Sequence, residues 1–316
     1  MMIPVESIEG ENMRVITQKT VGDASVLEVA EVPRPVPGPG QVLVQVGAAG
    51  VNPVDTYVRA GGFPALGEPP FTLGWDVAGT VVELGDGAEG FAVGDDVFGL
   101  LPFPGAGGGY AEHVVADAAD LAPRPSWLTV EQAGAVPMVA LTAWQALIGR
   151  GGLSAGQTIL VHAAAGGVGH VAVQLAKARG AHVIGTASAA KHDFLRSLGV
   201  DEVIDYRHED FTAIDPVDVV FDTIGGAYAE RSASVLKPGG VLVSIIPGNP
   251  GFSAERAAEL GVRFELFESV SASGADLAAL PPLRVRLEHV VPLAEAAKAH
   301  ELVESKRTTG KVVLVP

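Results

Sequence analysis

The chain has 316 residues, of which 48% are hydrophobic and 18% charged, which is enough apolar content for two folded domains and argues against disorder. Its formal net charge of −16 excludes a general basic surface for nucleic acid or anionic lipid, although helix N-termini and a few local cations can still hold phosphate. The absence of cysteine excludes disulfides, thiolate zinc ligands and cysteine nucleophiles, and no apolar run approaches the roughly 20 residues that span a bilayer. We therefore expect a cytoplasmic protein with no membrane partner.

The N-terminal part of the chain predicts a mostly-β domain. Residues 1–12 lack the basic and apolar regions of a signal peptide and are interpreted as a flexible leader. Beyond them, short apolar runs separated by Gly and Pro predict strands at residues 14–16, 41–46, 77–84 and 96–99.

The pattern changes after about residue 139, where strands alternate with helices. Strands are predicted at residues 158–162, 182–185, 202–205, 218–222 and 240–246, with helices starting near 168 and covering 190–198 and 227–236. This alternation predicts βαβ units in a parallel, doubly wound sheet. After residue 269 the pattern is irregular again, with a strand at 283–291, a helix at 293–304 and a strand at 311–315 that we expect to return to the β domain.

A glycine-rich turn follows the first strand of the α/β part. The sequence HAAAGGVG at residues 162–169 has Ala164, Gly166 and Gly169 at the three glycine positions of a dinucleotide fingerprint. Small residues let the backbone approach a pyrophosphate, and the helix N-terminus offers free N–H groups to it. The alternative is a purely structural turn; the flanking strand and helix favour cofactor binding.

The residues after the second strand indicate which dinucleotide binds. NAD sites carry an acidic residue there, but none occurs in residues 186–191, and the first carboxylate is Asp193. Ser188 and Lys191 can instead bond a 2′-phosphate, at roughly 1.5–3 kcal/mol for each charge-assisted bond, which corresponds to about a tenfold to hundredfold preference. We therefore predict NADPH as the cofactor; the alternative for Lys191 is a solvated helix residue.

Several motifs together resemble the zinc-independent quinone oxidoreductase branch of the medium-chain dehydrogenase/reductase superfamily. HAAAGGVG is one of them, and GVNPVDTY at residues 50–57 is similar to that branch's G-V-N-x-x-D-x-Y. Further matches are GGYAE at 108–112, ALTAW at 140–144, KPGG at 237–240 and TGKVV at 309–313.

The resemblance implies a fold class of α/β type, with a Rossmann doubly wound parallel sheet domain and a GroES-like, mostly-β catalytic domain. We expect the catalytic domain at residues 13–138, the NADPH-binding domain at 139–268 and the return to the catalytic domain at 269–316. Relatives usually have a longer helix near residues 274–282, where Pro281 and Pro282 here predict a shortened one. The resemblance also implies hydride transfer from NADPH to a small-molecule quinone or enone, and a homodimer.

The resemblance further implies that metal is not used. Zinc-bearing relatives have a Cys at the place of Val51 and a His-Glu pair at the place of Trp75-Asp76, and neither Val nor Trp can ligate zinc. The structural zinc lobe of such relatives needs cysteines, which this chain lacks. We therefore expect no metal site and no zinc-alkoxide chemistry.

The resemblance assigns roles to individual residues. Asn52 and Tyr57 are implied to lie at the nicotinamide and acceptor, and they are the candidate catalytic residues. The implied cofactor-binding residues are Asn52, Thr142, Ala165, Gly166, Gly167, Val168, Ser188, Lys191, Tyr206, Ile245, Ile246 and Lys311.

Two questions stay open at the level of sequence. Tyr57 is the best candidate to donate a hydrogen bond to the acceptor carbonyl, with Asn52 second, but Tyr57 is also compatible with a packing role. The function is predicted as NADPH-dependent reduction of a quinone or α,β-unsaturated carbonyl; the alternatives are an NADPH-binding protein with little turnover and an enoyl-thioester reductase.

Overall fold

The computed structural model describes residues 11–64, 66–105 and 107–316. Residues 1–10 of the predicted leader therefore lie outside the described residues. Asn12 already begins a strand, and the backbone N–H of Arg34 donates to the carbonyl of Glu11 at 2.9 Å.

The strands of the mostly-β part come from both ends of the chain. They are β1 (Asn12–Gln18), β2 (Glu28–Pro33), β3 (Gln41–Val51), β4 (Phe71–Thr72), β5 (Asp76–Leu84), β6 (Asp96–Leu100), β7 (His113–Asp117) and β8 (Leu121–Pro123), with β15 (Leu287–Pro292) and β16 (Lys311–Val315) from the C-terminal end. The larger sheet has the order β15-β16-β3-β5-β6-β8, with β7 also paired to β3, and a smaller sheet has the order β2-β1-β4. The antiparallel pairing of β16 with β3 returns the C-terminal segment to this part of the molecule.

The second part is a parallel sheet. Its strands are β9 (Thr158–Val161), β10 (His182–Ala187), β11 (Glu202–Asp205), β12 (Val217–Asp222), β13 (Leu236–Ser244) and β14 (Arg263–Leu266). Within the described residues they are arranged as β11-β10-β9-β12-β13-β14, which is the 3-2-1-4-5-6 strand order of the Rossmann fold. The order reverses between β9 and β12, and this switch point is where such folds bind dinucleotides. The predicted Rossmann sheet is confirmed.

Helices connect and cover these sheets. They are α1 (Pro53–Arg59), α2 (Val130–Ala135), α3 (Pro137–Trp144), α4 (Gly167–Ala178), α5 (His192–Ser197), α6 (Ala227–Ala233), α7 (Ala254–Leu260), α8 (Gly274–Ala278) and α9 (Ala296–Glu304). Helix α4 buries one apolar face that includes Val171, Ala172 and Leu175 against the sheet and α3. Strand β9 is buried on both faces after Thr158, which explains why its apolar residues run without alternation.

The structure differs from the sequence-based prediction in the C-terminal part. The strand predicted over residues 283–291 begins only at Leu287, since the backbone N–H of Arg284 donates to the Gln174 side chain at 2.8 Å instead of to a strand. Pro281 and Pro282 just before it have no N–H to offer a ladder. Helix α8 has five residues, in agreement with the predicted shortening.

Candidate active site

The glycine-rich turn joins β9 to α4, and the two elements pack closely there. A Cβ on Gly169 would lie 2.4 Å from the Ala163 carbonyl oxygen, so only glycine allows the helix to approach the turn this closely. Helix α4 starts after Gly166, which provides no capping side chain, and its first N–H groups are available to an anion. Among described non-glycine residues only Ala163 and Lys306 have positive φ, so Ala164 occupies the first glycine position without strain, whereas Ala163 has φ of 44°.

A buried histidine, His162, precedes this turn and shares a hydrogen-bond partner with it. The His162 ring contacts Ser232 Oγ at 2.8 Å and Thr186 Oγ1 at 3.2 Å, and Thr186 Oγ1 also accepts from the Ala163 N–H at 3.3 Å. Burial lowers the pKa of His162 to about 3, and the charge of Arg231 adds to the shift, so the ring is neutral. Sequence reasoning placed His162 at the end of the strand and missed this supporting role.

The residues predicted for the 2′-phosphate lie together at the ends of β10 and β11. Ser188 precedes a short 3₁₀ turn (Ala189–Lys191), and the Lys191 ammonium donates to the carbonyl oxygens of Arg307 and Thr308 at 3.2 and 2.9 Å. Burial lowers the pKa of Lys191, while nearby Glu288 and Tyr206 oppose the shift.

Two arginines that sequence reasoning missed also act on Lys191. The charges of Arg286 and Arg207 contribute to the lowered pKa of Lys191. The Arg207 guanidinium lies 5.8 Å from the centre of the Tyr206 ring. In the sequence, only the adjacency of Arg207 to the predicted site residue Tyr206 could have indicated that Arg207 belongs to this region. Lys191 therefore experiences two positive charges and the opposing negative charge of Glu288.

The residues predicted for the nicotinamide side come from separate elements. Thr142 is buried in α3, and Ile245 and Ile246 follow the carboxyl end of β13, where the Ile245 N–H donates to the Asp222 carbonyl at 3.1 Å. Gly167 begins α4, and a Cβ there would lie 3.3 Å from Lys311 Cδ. Lys311 therefore packs its aliphatic stem against the glycine-rich turn.

Asn52 and Lys311 meet in a buried polar cluster. The Lys311 ammonium donates to Asn52 Oδ1 and to the Val51 carbonyl at 3.2 Å, and it lies 3.6 Å from Asp76 Oδ2. Asn52 Nδ2 donates to the same Asp76 oxygen at 2.8 Å. Burial lowers the pKa of Lys311 and raises that of Asp76, and the opposite charge of each partner counteracts both shifts. The predicted cofactor residue Lys311 thus directs its charge at Asn52.

The two candidate catalytic residues have different environments. Asn52 is buried just before α1, whereas Tyr57 on the same helix is 64% exposed. An aromatic group lies nearby in the fold: Trp75 packs edge-on against Phe103 at 5.2 Å and donates from Nε1 to the Gly105 carbonyl at 3.1 Å. Trp75 therefore fixes the loop that follows β6. In zinc-bearing relatives, the place of Trp75 is the one expected to hold a zinc ligand.

No group of three or more His, Cys, Asp or Glu side chains is arranged to hold a metal ion within residues 11–64, 66–105 and 107–316. In the same part of the chain, no helix is both long and apolar enough to cross a membrane.

A Rossmann sheet with this turn, joined to a mostly-β domain that completes the site, defines a nicotinamide-dependent oxidoreductase. Two family models match the chain: the alcohol dehydrogenase GroES-like domain over residues 38–126 and the zinc-binding dehydrogenase family over residues 198–314. The predicted GroES-like domain is thereby confirmed.

Relatives and solved structures narrow the family further. The chain is 37% identical to a quinone oxidoreductase of Pseudomonas aeruginosa, over 93% of this chain and 97% of that protein. It is also 37% identical over 93% of its length to the spectinabilin polyketide synthase system protein NorB of Streptomyces orinoci, but it spans only 14% of that protein. The structure of the quinone oxidoreductase from Coxiella burnetii matches with a TM-score of 0.90 and 34% identity, covering 97% of this chain and 100% of the other.

Escherichia coli quinone oxidoreductase complexed with NADPH matches with a TM-score of 0.85 and 30% identity, covering 96% and 100% of the two chains. The chain belongs to the quinone oxidoreductase-like branch of the medium-chain dehydrogenase/reductase superfamily, as the sequence predicted.

Proposed function

We propose that the chain is an NADPH-dependent reductase that delivers hydride to a quinone or an α,β-unsaturated carbonyl without a metal ion. The observation that carries the cofactor assignment is the Lys191 ammonium, held by the carbonyl oxygens of Arg307 and Thr308, together with a turn that only glycine at position 169 permits. The E. coli relative solved with NADPH supports the same choice.

The chain's own residues have separate tasks in this proposal. Gly167 and Val168 present backbone N–H groups to the pyrophosphate, beside Gly166, whose own N–H donates to the Ala163 carbonyl at 2.8 Å. Ser188, Lys191 and Tyr206 surround the 2′-phosphate. NADPH, when bound, supplies the hydride. With Val51 and Trp75 unable to ligate zinc, the acceptor carbonyl is polarised by hydrogen-bond donors, with Tyr57 as the first candidate because its ring is exposed and Asn52 as the second. Water provides the proton.

Lys191→Ala tests the cofactor assignment. We expect the NADPH-over-NADH preference in kcat/KM to fall about tenfold, because one charge-assisted bond to the 2′-phosphate is lost. Lys177→Ala is the matched control, since Lys177 lies in the last turn of α4 and pairs with Asp201 at 2.7 Å. An unchanged preference in Lys191→Ala would show that Lys191 does not bind the 2′-phosphate.

An acceptor panel tests the reaction. NADPH oxidation is measured with 1,4-benzoquinone, 9,10-phenanthrenequinone, small enones and an enoyl-thioester. Turnover with quinones or enones supports the proposal, whereas tight NADPH binding without turnover on any acceptor supports a binding protein. Turnover confined to the thioester supports the second candidate, an enoyl-thioester reductase, which the similarity to the structure of the CurK enoyl reductase, with a TM-score of 0.85 and 26% identity, favours.

We also propose a homodimer with a small-molecule acceptor, as the resemblance implies. Light scattering coupled to size-exclusion chromatography tests it: a dimer should have about twice the chain mass of 32.3 kDa.

A further inference from the structure

One short C-terminal segment, residues 307–311, contacts the predicted cofactor site at three points. The carbonyl oxygens of Arg307 and Thr308 accept from the Lys191 ammonium at the predicted 2′-phosphate end. The Gly310 N–H donates to the Ala165 carbonyl of the pyrophosphate turn at 3.0 Å. Lys311 then extends to Asn52 on the nicotinamide side. The segment therefore links all three parts of the site through hydrogen bonds.

Lys311 joins the turn to Asn52 through two different parts of its side chain. Its stem lies against Gly167, where an added Cβ would be 3.3 Å from Lys311 Cδ. Its ammonium is buried and bonds the Asn52 and Val51 oxygens. The same side chain therefore contacts the turn through its stem and holds Asn52 through its ammonium.

The charges around Asn52 permit only one orientation of its carboxamide. Oδ1 accepts from the Lys311 ammonium, and Nδ2 donates to the Asp76 carboxylate. Rotating the amide by 180° would place its NH₂ against an ammonium and its oxygen against a carboxylate, which replaces two charge-assisted bonds by two repulsions.

Asp76 is itself held in place. Its Oδ1 accepts from the Met138 N–H at the start of α3 at 2.6 Å, and its Oδ2 lies where a Cβ on Gly50 would come within 2.6 Å. Glycine at position 50 therefore makes room for the carboxylate. Because both charges of the pair are anchored, they act as a rigid frame for Asn52.

A purely stabilising role is a weak explanation for this pair. Removing two charges from water is expensive, and apolar side chains of similar volume often stabilise a fold equally well. We propose that Lys311 is a positioning residue: with Asp76 it fixes the Asn52 carboxamide toward the nicotinamide side and ties that orientation to the pyrophosphate turn. The catalytic part of this inference rests on the proposed function, whereas the positioning of Asn52 does not.

The positioning of Asn52 can be measured without turnover. The chain contains three asparagines, Asn12, Asn52 and Asn249, so selective ¹⁵N-asparagine labelling gives three side-chain amides. Asn52→Asp identifies the Asn52 signals by their loss. In Lys311→Met, which keeps the stem and removes the ammonium, we expect the Asn52 amide to shift and its protons to exchange with water at least tenfold faster. Unchanged Asn52 signals would overturn the proposal.

Two further variants keep the result decisive. Lys177→Met removes a lysine from an ion pair with Asp201 and should leave the Asn52 signals unchanged. If Lys311→Met does not fold because Asp76 is left as an uncompensated buried charge, the double variant Asp76→Ala/Lys311→Met removes both charges without adding an asparagine. The same shift and faster exchange of the Asn52 amide are expected there, and unchanged Asn52 signals would overturn the proposal.

Kinetics then test the consequence for catalysis. In Lys311→Met we expect kcat to fall tenfold or more, since misplacement of a positioned group by about 1 Å can lower rates about 10²-fold. The Kd of NADPH should change less than threefold, because methionine retains the stem contact with Gly167. An unchanged kcat would refute the catalytic part. If the wild-type protein reduces no acceptor, the proposed function fails, but the amide signals still decide whether Lys311 positions Asn52.

Discussion

Asp55 lies in an environment that favours its protonated form. It is fully buried in α1, and its Oδ2 accepts from the Asn52 N–H at 2.7 Å, while the Gly74 N–H and the Tyr110 hydroxyl also act on this carboxyl. Burial raises the pKa of Asp55 to about 7, and the nearby charge of Asp76 adds to the shift. Asp55→Asn replaces the carboxyl by a permanently neutral group of the same shape whose oxygen can still accept from the Asn52 N–H.

The expected effect follows from the difference between the folded and unfolded pKa. The folded value of about 7 lies roughly three units above the ordinary 3.8, which corresponds to about 4 kcal/mol at about 1.4 kcal/mol per unit. Because the folded pKa is raised, this stabilisation is fully present below about pH 3.8 and is lost as pH rises through 7. Between pH 5 and pH 8 the wild-type protein should lose about 3 kcal/mol through Asp55, and Asp55→Asn should not.

Urea unfolding of both proteins at pH 5, 6, 7 and 8 checks this. We expect the difference in unfolding free energy to change by about 3 kcal/mol in favour of Asp55→Asn as pH rises. Asp193→Asn, at a fully exposed side chain, is the control and should differ from wild type by the same amount at every pH. A pH-independent difference for Asp55→Asn would refute the argument that burial keeps this carboxyl protonated.

Two further predictions concern the turn. Gly169→Ala places a Cβ 2.4 Å from the Ala163 carbonyl oxygen, so we expect about 1–3 kcal/mol of destabilisation. NADPH binding, measured by fluorescence titration, should be at least tenfold weaker. Gly149→Ala, with open space around its Cβ, is the control and should retain the affinity. Ala163→Gly relieves a left-handed φ of 44°, and because that strain exceeds the added chain entropy, unfolding experiments should show a gain of about 0.5–1 kcal/mol; a loss would mean that the turn is unstrained.

The features that the sequence predicted correctly are local. The strand, turn and helix around the glycines lie within about twenty consecutive residues, and each carries its own periodicity or composition. The buried runs of β9 and β12 identify strands covered on both faces, from which the parallel sheet follows.

The features that the sequence did not predict depend on distant contacts. Asn52 is 24 residues from Asp76 and 259 residues from Lys311, and no pattern along the chain connects them. The TGKVV motif predicts that Lys311 binds the cofactor, whereas in the structure its ammonium is directed at Asn52, a residue that the motif does not contain.

Contacts between distant residues also change the NADPH-over-NADH preference that is expected from Lys191. Judged from sequence alone, its ammonium was expected to give a tenfold to hundredfold preference for the 2′-phosphate. In the structure two of its three N–H groups already donate to the carbonyl oxygens of Arg307 and Thr308, so a phosphate can gain one new bond without breaking another. One charge-assisted bond of roughly 1.5 kcal/mol corresponds to about tenfold, the lower end of that range. Arg207 and Arg286 act on the same region, so Lys191→Ala should keep a residual preference for NADPH that disappears only when an arginine is removed as well.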